Sequence, residues 1–265
     1  MDILEQLSAH ARKRVEQKKT QIPEEEMRRM AEACRNRKIP SFHDALAKPQ
    51  MSFICECKKA SPSKGLIAPE FPYLEIARSY QDAGADAISC LTEPKWFLGS
   101  DTYLKEIAEA VNIPVLRKDF TVDPYMIYEA KVLGASAVLL ICAILTDEEL
   151  AEYGKIARSL GLSALVEAHD EREVERALRV ENAVIGVNNR DLRDFTVDCR
   201  NSVRLRKLVP RDRIFVSESG IRTPEDIEVL LRSGTDAVLI GETLMRSPDK
   251  AAELRRLRGE GQTWK

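Results

Sequence analysis

Apolar positions along this chain repeat with two different periods. In residues 2–20, Leu4, Leu7, Ala11 and Val15 fall on one helical face with charges elsewhere, which predicts an amphipathic helix. Pro23 followed by Glu24, Glu25 and Glu26 marks a second helix start, since proline fits a first turn and acids there complement the helix dipole. Ser41, with Asp44 three residues on, predicts a short third helix ending near Lys48. Residues 1–48 therefore form a helical extension, either a bundle on the side of the domain or a lid over its active site.

From Phe53 onward the pattern changes. Short apolar runs end near Lys58, Leu91, Lys118, Cys142, Glu167, Asn188, Glu218 and Gly241, and helical patterns fall between them at 73–82, 103–111, 124–133, 147–160, 171–180, 203–209 and 224–232. Eight strand–helix units fit. A submotif recurs as Ala83-Gly84-Ala85-Asp86, Leu133-Gly134-Ala135-Ser136 and Ser233-Gly234-Thr235-Asp236, each a glycine helix stop feeding a buried strand. The pattern predicts an α/β fold, a closed (β/α)8 TIM barrel with an N-terminal helical extension. An open doubly wound sheet is the rival, but no G-x-G-x-x-G follows the first strand and eight units are many for it.

A chain of 265 residues with 44% hydrophobic content suits one such domain, spanning 1–265. Its formal charge is only -2, with 41 basic and 43 acidic residues interspersed, so neither nucleic acid nor an acidic membrane is indicated as a partner. A small molecule is. The cysteines at 34, 55, 57, 90, 142 and 199 show neither paired C-x-x-C nor metal spacing, and four lie in strand-like runs. Reduced thiols, no membrane-length apolar run and an N-terminus carrying Asp2, Glu5 and Glu16 point to the cytoplasm.

Candidate chemistry concentrates in Ser52–Gly65, S-F-I-C-E-C-K-K-A-S-P-S-K-G. On a strand, Glu56 and Lys58 share one face and Cys55 and Cys57 the other, so two opposite charges sit side by side on a buried element. Buried charges are costly unless paired or used. The turn beginning at Ser61, with its hydroxyls and Lys64, is suited to an anion. In a barrel the active site lies at the strand C-termini, where the chain places Glu56 and Lys58, Lys118, Glu167, Asn188, and Glu218 with Ser219. Any one of these is as readily a structural ion pair. The cluster is harder to dismiss, because charges about 4 Å apart interact by about 4 kcal/mol at an effective dielectric of about 20, enough to hold lysines protonated and push some carboxyl groups upward. Ser219-Gly220 and Gly241-Glu242-Thr243, after the seventh and eighth strands, stand where barrels bind phosphate through backbone N–H groups, although ordinary turns look the same.

Taken together, E-C-K-K-A-S-P-S-K-G, L-T-E-P-K-W-F at 91–97, L-R-K-D-F at 116–120, L-V-E-A-H at 165–169, I-G-V-N-N-R-D-L at 185–192, S-E-S-G-I at 217–221 and I-G-E-T-L-M at 240–245 resemble the indole-3-glycerol-phosphate synthase family over nearly the whole chain. Cys57 stands where that family more often has an aliphatic or aromatic residue, an outward position with no bearing on catalysis. The resemblance implies a carboxy-lyase of tryptophan biosynthesis that needs no cofactor and no metal. Its substrate is a phosphorylated small molecule, a carboxyphenylamino deoxyribulose phosphate, closed to indole glycerol phosphate with loss of carbon dioxide and water. It also favours the lid, and it raises association with other tryptophan-pathway enzymes, which the residues themselves leave open.

By the same resemblance Lys118 matches the general acid, Lys58 the holder of the substrate carboxylate, and Glu167 the base of the dehydration. The division of proton transfers between the lysines stays open. Glu56 and Asn188 would orient the lysines and sugar hydroxyls, and Glu218 would support the reacting hydroxyl or a lysine. Phe97 and Phe120 would wall the aromatic ring, Ser61, Ser219, Gly220, Gly241 and Glu242 would meet substrate or phosphate, and Arg190 would take a binding role. Phosphoribosylanthranilate isomerase, another phosphosugar barrel, would instead use a Cys and Asp pair. A catalytically silent binding barrel would lack a lysine or Glu167, and this chain has them all.

Overall fold

The computed structural model describes residues 3–191 and 195–259; Asp2, Leu192 and the polar tail from 260 onward lie outside them. Eight strands, β1 (Ser52–Cys57), β2 (Ala87–Leu91), β3 (Val115–Lys118), β4 (Ala137–Ile141), β5 (Ser163–Ala168), β6 (Val184–Asn188), β7 (Phe215–Glu218) and β8 (Ala237–Ile240), pair in parallel with their chain neighbours. β8 pairs back to β1, closing the barrel. The expected strand ends are met to within a residue, and no doubly wound sheet forms. Between and after the strands lie α4 (Tyr73–Asp82), α5 (Asp101–Ala110), α6 (Pro124–Leu133), α7 (Asp147–Ser159), α8 (Glu171–Leu178), α9 (Arg200–Leu205), α10 (Pro224–Ser233), α11 (Glu242–Arg246) and α12 (Lys250–Leu257).

The period of two sorts every strand into two cores. Ile54, Leu116, Leu139, Leu165, Val216 and Leu239 meet inside the barrel, while their sequence neighbours Cys55, Val115, Leu140, Val166, Phe215 and Val238 pack outward against the helices. Local chemistry ends the helices where the sequence says. Asp123, Thr146, Asp170 and Thr223 cap α6, α7, α8 and α10 through their side chains, and Gly134 and Gly234 stop α6 and α10 in the left-handed conformation.

Helix ends shift from the sequence pattern by up to a few residues, as at α5 and α8, and two places differ in kind. α9 starts at Arg200 and passes into a 3-10 turn over Arg206–Leu208, because Arg206 turns inward to donate to Gly234 O at 2.6 Å and Val209 O at 2.6 Å. The Ser61 turn is the tip of a small antiparallel hairpin, Ala60–Ser61 against Gly65–Leu66.

The N-terminal extension is neither a lid nor a side bundle alone. α1 (Ile3–Gln21) buries Leu7, Ala11 and Val15 in the interior cluster and lies across the strand C-termini. Arg14 bonds Asp119 at 2.6 and 3.1 Å, Arg12 bonds Val122 O at 3.0 Å, and Lys19 meets Asp123 at 2.8 Å, so the segment after β3 holds α1 down. α2 (Glu24–Ala33) packs on α6 at the barrel's side. α3 (Phe42–Leu46) sits at the opposite end: Phe42 and Leu46 are fully buried in the interior cluster, and Ser52, at the start of β1, donates to Ala45 O at 3.3 Å. The extension thus closes both ends of the barrel.

Candidate active site

Because each strand alternates its faces, the last inward residue of a strand sits on the mouth of the barrel, one layer above the apolar interior. Two residues beyond Ile54, Leu116, Leu165 and Val216 stand Glu56, Lys118, Glu167 and Glu218, and β6 ends inward at Asn188. All line one cavity of about 360 Å³, together with Lys58, and α1 contributes Ile3 and Leu7 to its wall. That size holds a small phosphorylated metabolite.

The charges form two linked groups. Lys58 Nζ lies 2.7 Å from Glu56 Oε1, and Ser89 donates to the other oxygen at 3.3 Å. Lys118 Nζ bridges Glu167 Oε2 at 3.3 Å and Glu218 Oε2 at 3.5 Å. Asn188 Nδ2 donates to Glu167 Oε1 at 3.3 Å, and its own oxygen accepts the Arg190 N–H at 3.0 Å.

Burial disfavours every charge here, so the balance depends on partners. Burial opposes the Lys118 ammonium, yet Glu167, Glu218 and Glu56 hold it above the usual lysine range. Burial opposes the Glu167 and Glu56 carboxylates too, but nearby lysines keep both below the ordinary glutamate value, with His169 assisting at Glu167. Glu218 goes the other way: burial pushes it up to about 8, Lys118 pulls down, and the charges of Glu167 and Glu56 push up again. Neither Glu218 oxygen has a hydrogen bond. The site therefore sets the Lys118 ammonium and the Glu56 and Glu167 carboxylates beside Glu218, whose carboxyl is pushed toward its protonated form.

The remaining expected residues also line this cavity. Phe97 and Phe120 stand with ring centroids 6.1 Å apart and form an aromatic wall. Ser61, Arg190, Ser219, Gly220, Gly241 and Glu242 gather on the side of β7, β8 and the hairpin. Gly220, at φ +85°, admits no side chain without strain, and a Cβ there would lie 2.5 Å from Val197 and 2.7 Å from Cys199. A Cβ on Gly241 would run into Glu56 and stand 2.8 Å from Lys58 Nζ, so the glycine leaves room for that pair.

Glu242 brings more than its backbone. Its carboxylate lies 3.1 Å from Arg246, 3.6 Å from Lys64 and 3.9 Å from Arg190, a ring of cations already around one anion. The positive charge of the Ser61 turn is thus engaged by a neighbouring carboxylate.

Several contributors escaped the sequence reading. Ser89 is one; it lies in an otherwise apolar run, and its inward parity was the only signal. Glu93, fully buried, accepts the backbone N–H groups of Trp96 at 2.7 Å and Phe97 at 3.0 Å, which fixes the loop that presents the aromatic wall. Asp119 joins that wall to α1 through Arg14 and accepts from Thr92 at 2.6 Å. Arg222, after β7, and Arg246, after β8, add charge to the cavity wall, and no local pattern marks either. Among the described residues, no group of three or more His, Cys, Asp or Glu side chains is placed to hold a metal ion, and no helix is long and apolar enough to cross a membrane.

The family model for indole-3-glycerol phosphate synthase matches residues 4–257. An indole-3-glycerol phosphate synthase of Ruminiclostridium cellulolyticum is 56% identical over 257 residues, covering 97% of this chain and 99% of that protein. One from Endomicrobium trichonymphae is 53% identical over 256 residues, with 97% and 99% covered. Among solved structures, a 3-hexulose-6-phosphate synthase from Salmonella typhimurium superposes with a TM-score of 0.64 at 16% identity, covering 78% of this chain and 97% of that one. A phosphoribosylanthranilate isomerase from Thermotoga maritima gives 0.57 at 18% identity, with 79% and 97% covered. At such identities these last two speak for the barrel alone.

Proposed function

The chain belongs to the indole-3-glycerol phosphate synthase family, and from that premise we propose how its own residues divide the reaction. The activity is that of a carboxy-lyase in tryptophan biosynthesis, closing 1-(2-carboxyphenylamino)-1-deoxyribulose 5-phosphate to indole-3-glycerol phosphate with loss of carbon dioxide and water. Lys118 gives a proton to the ketone oxygen as the carboxylate-bearing ring carbon attacks, so a carbon–carbon bond forms and the ketone becomes a hydroxyl. Carbon dioxide then leaves, and its bonding electrons return to the ring. Lys58, which holds the substrate carboxylate beforehand, protonates the departing hydroxyl, and Glu167 takes the proton whose loss completes the indole.

The observation that carries this division is the placement of Lys118, a buried ammonium held by Glu167 and Glu218 under the Phe97 and Phe120 wall. An acid facing an aromatic wall meets a ring and a ketone together, and the dry wall strengthens each charge interaction. Glu56 orients Lys58, Asn188 orients Glu167, and neutral Glu218 donates a hydrogen bond to a substrate oxygen. Ser61, Arg190 and the turns at Ser219-Gly220 and Gly241-Glu242 receive the phosphorylated end. Six free cysteines support a reducing cytoplasm as the working compartment, with 1–265 acting as one barrel domain and its extension.

Turnover is read by the appearance of indole fluorescence from the carboxyphenylamino substrate. Lys118→Met is expected to lower kcat by at least about 100-fold while KM stays within a few-fold, as for loss of a general acid. Near-normal turnover in that variant would reject the assignment.

A further inference from the structure

A site that receives an anion gains nothing from a carboxylate of its own, yet Glu242 places one beside the turns that meet the phosphorylated end. Glu242 opens α11, and its side chain is about a quarter exposed. Oε1 accepts from Arg246 Nε at 3.1 Å, one turn along the same helix. Alone, that would be an ordinary surface pair of small energetic value. Two further cations come from other elements: Lys64 of the hairpin stands 3.6 Å from Oε1, and Arg190, after β6, stands 3.9 Å from Oε2. At those distances charge, not hydrogen bonding, joins them to the carboxylate. Arg190 has anchors of its own, since its Nη1 donates to Phe195 O at 3.2 Å and its backbone N–H to Asn188 Oδ1 at 3.0 Å. Glu242 is not needed to hold it.

The other acids on the cavity wall are committed elsewhere: Glu56 to Lys58, Asp119 to Arg14 and Thr92, Glu167 and Glu218 to Lys118. Glu242 is the acid among the described lining residues that stands on the phosphate side. Burial pushes its carboxyl up, but Arg246, Lys64 and Lys58 hold it below the ordinary glutamate value, so it is an anion at neutral pH. A phosphate monoester carries about 1.5 to 2 negative charges at pH 7 and would share Arg190 with this carboxylate. The pull of the surrounding cations grows with the charge of the ligand, and Glu242 takes away part of that growth.

We propose that the Glu242 side chain determines specificity by charge, admitting a single phosphate group and disfavouring diphosphates, an inference that rests on the phosphorylated end lying where the functional reading puts it. Its magnitude follows from one carboxylate charge seen through solvent. At the dielectric of water and a separation of about 6 Å, that charge weakens binding by about threefold per unit of ligand charge. Removing it is then worth about tenfold to a dianion and about thirtyfold to a trianion. Lys58, Arg190 and Arg222 stay on the wall in either case, so a change at Glu242 isolates one charge.

The test takes wild type, Glu242→Gln and Glu242→Asp at low salt and measures inorganic orthophosphate and inorganic pyrophosphate twice, as competitive inhibitors of turnover and by direct calorimetric titration. Glu242→Gln, which keeps the shape and loses the charge, is expected to bind orthophosphate about tenfold and pyrophosphate about thirtyfold more tightly than wild type. The preference thus moves about threefold toward pyrophosphate, and the difference in size between the two anions cancels in that ratio. Glu242→Asp, which keeps the charge, is expected to keep the wild-type preference. Unchanged or weaker anion binding in Glu242→Gln overturns the proposal, since a carboxylate that merely braces its cations would give that result. Equal tightening of both anions overturns it too, as does a Glu242→Asp protein that follows Glu242→Gln. A wild-type protein inert toward the carboxyphenylamino substrate overturns the functional reading, and calorimetry then still decides the charge discrimination. An active wild type whose anion constants do not move in Glu242→Gln overturns the discrimination alone.

Discussion

At the scale of single residues, Glu218 carries the most specific consequence. Its folded-state value of about 8 stands above the ordinary 4.5, so the folded protein binds that proton more tightly than the unfolded chain. The resulting stabilisation is full at pH below the ordinary glutamate value and is lost as pH rises through about 8. Glu218→Gln, a copy of the protonated acid, is therefore expected to match wild type in thermal unfolding at acid pH and to exceed it above the folded-state value. Parallel melting curves for the two proteins at every pH would contradict a protonated Glu218. Lys118 marks the complementary case, since an ammonium in this layer persists only because Glu167 and Glu218 flank it. Alternation along β3 and β5 already announced that Lys118 and Glu167 face inward; how Glu218 differs from Glu167 depends on charges brought to it from β1, β3 and β5 and was not legible.

At the scale of elements, the extension separates two functions that the sequence pattern merges. Leu7 on α1 and Leu46 on α3 are both buried apolar residues in the interior cluster, at opposite ends of the barrel. Truncating either to alanine is expected to cost about 2–5 kcal/mol in urea unfolding, the range for a buried leucine. Only Leu7 touches the cavity. Leu7→Ala is accordingly expected to raise KM, and Leu46→Ala to leave KM unchanged. Equal KM values in both variants would mean that α1 does not shape the substrate site. Helical periodicity predicted α1, the Pro23 start with its three glutamates predicted α2 and the cap at Ser41 predicted α3, but a lone amphipathic face does not say what it covers. The ion pairs from Arg14 and Lys19 to residues more than a hundred positions away decide that.

At the scale of the whole molecule, a closed barrel buries its cysteines without pairing them. All six are free; Cys55, Cys57, Cys90 and Cys142 are buried, and Cys34 and Cys199 are half-buried. A thiol reagent is expected to label only Cys34 and Cys199 in the folded protein and all six once it is denatured, with no change in Tm on adding reductant. A Tm that falls with reductant would reveal a disulfide and count against a reducing compartment.

The sequence by itself determined the barrel, because eight repeats of strand and helix with matching turn residues admit few other closed arrangements. It also determined which face of each strand meets the mouth, since a period of two leaves no choice once the apolar neighbours are buried. Tertiary structure alone decided the protonation states, the engagement of Glu242 by three cations, and the split of the extension between the two barrel ends. Each of these is set by distances between residues remote in sequence. Electrostatic energy and desolvation follow distance through space, and local pattern carries no record of it.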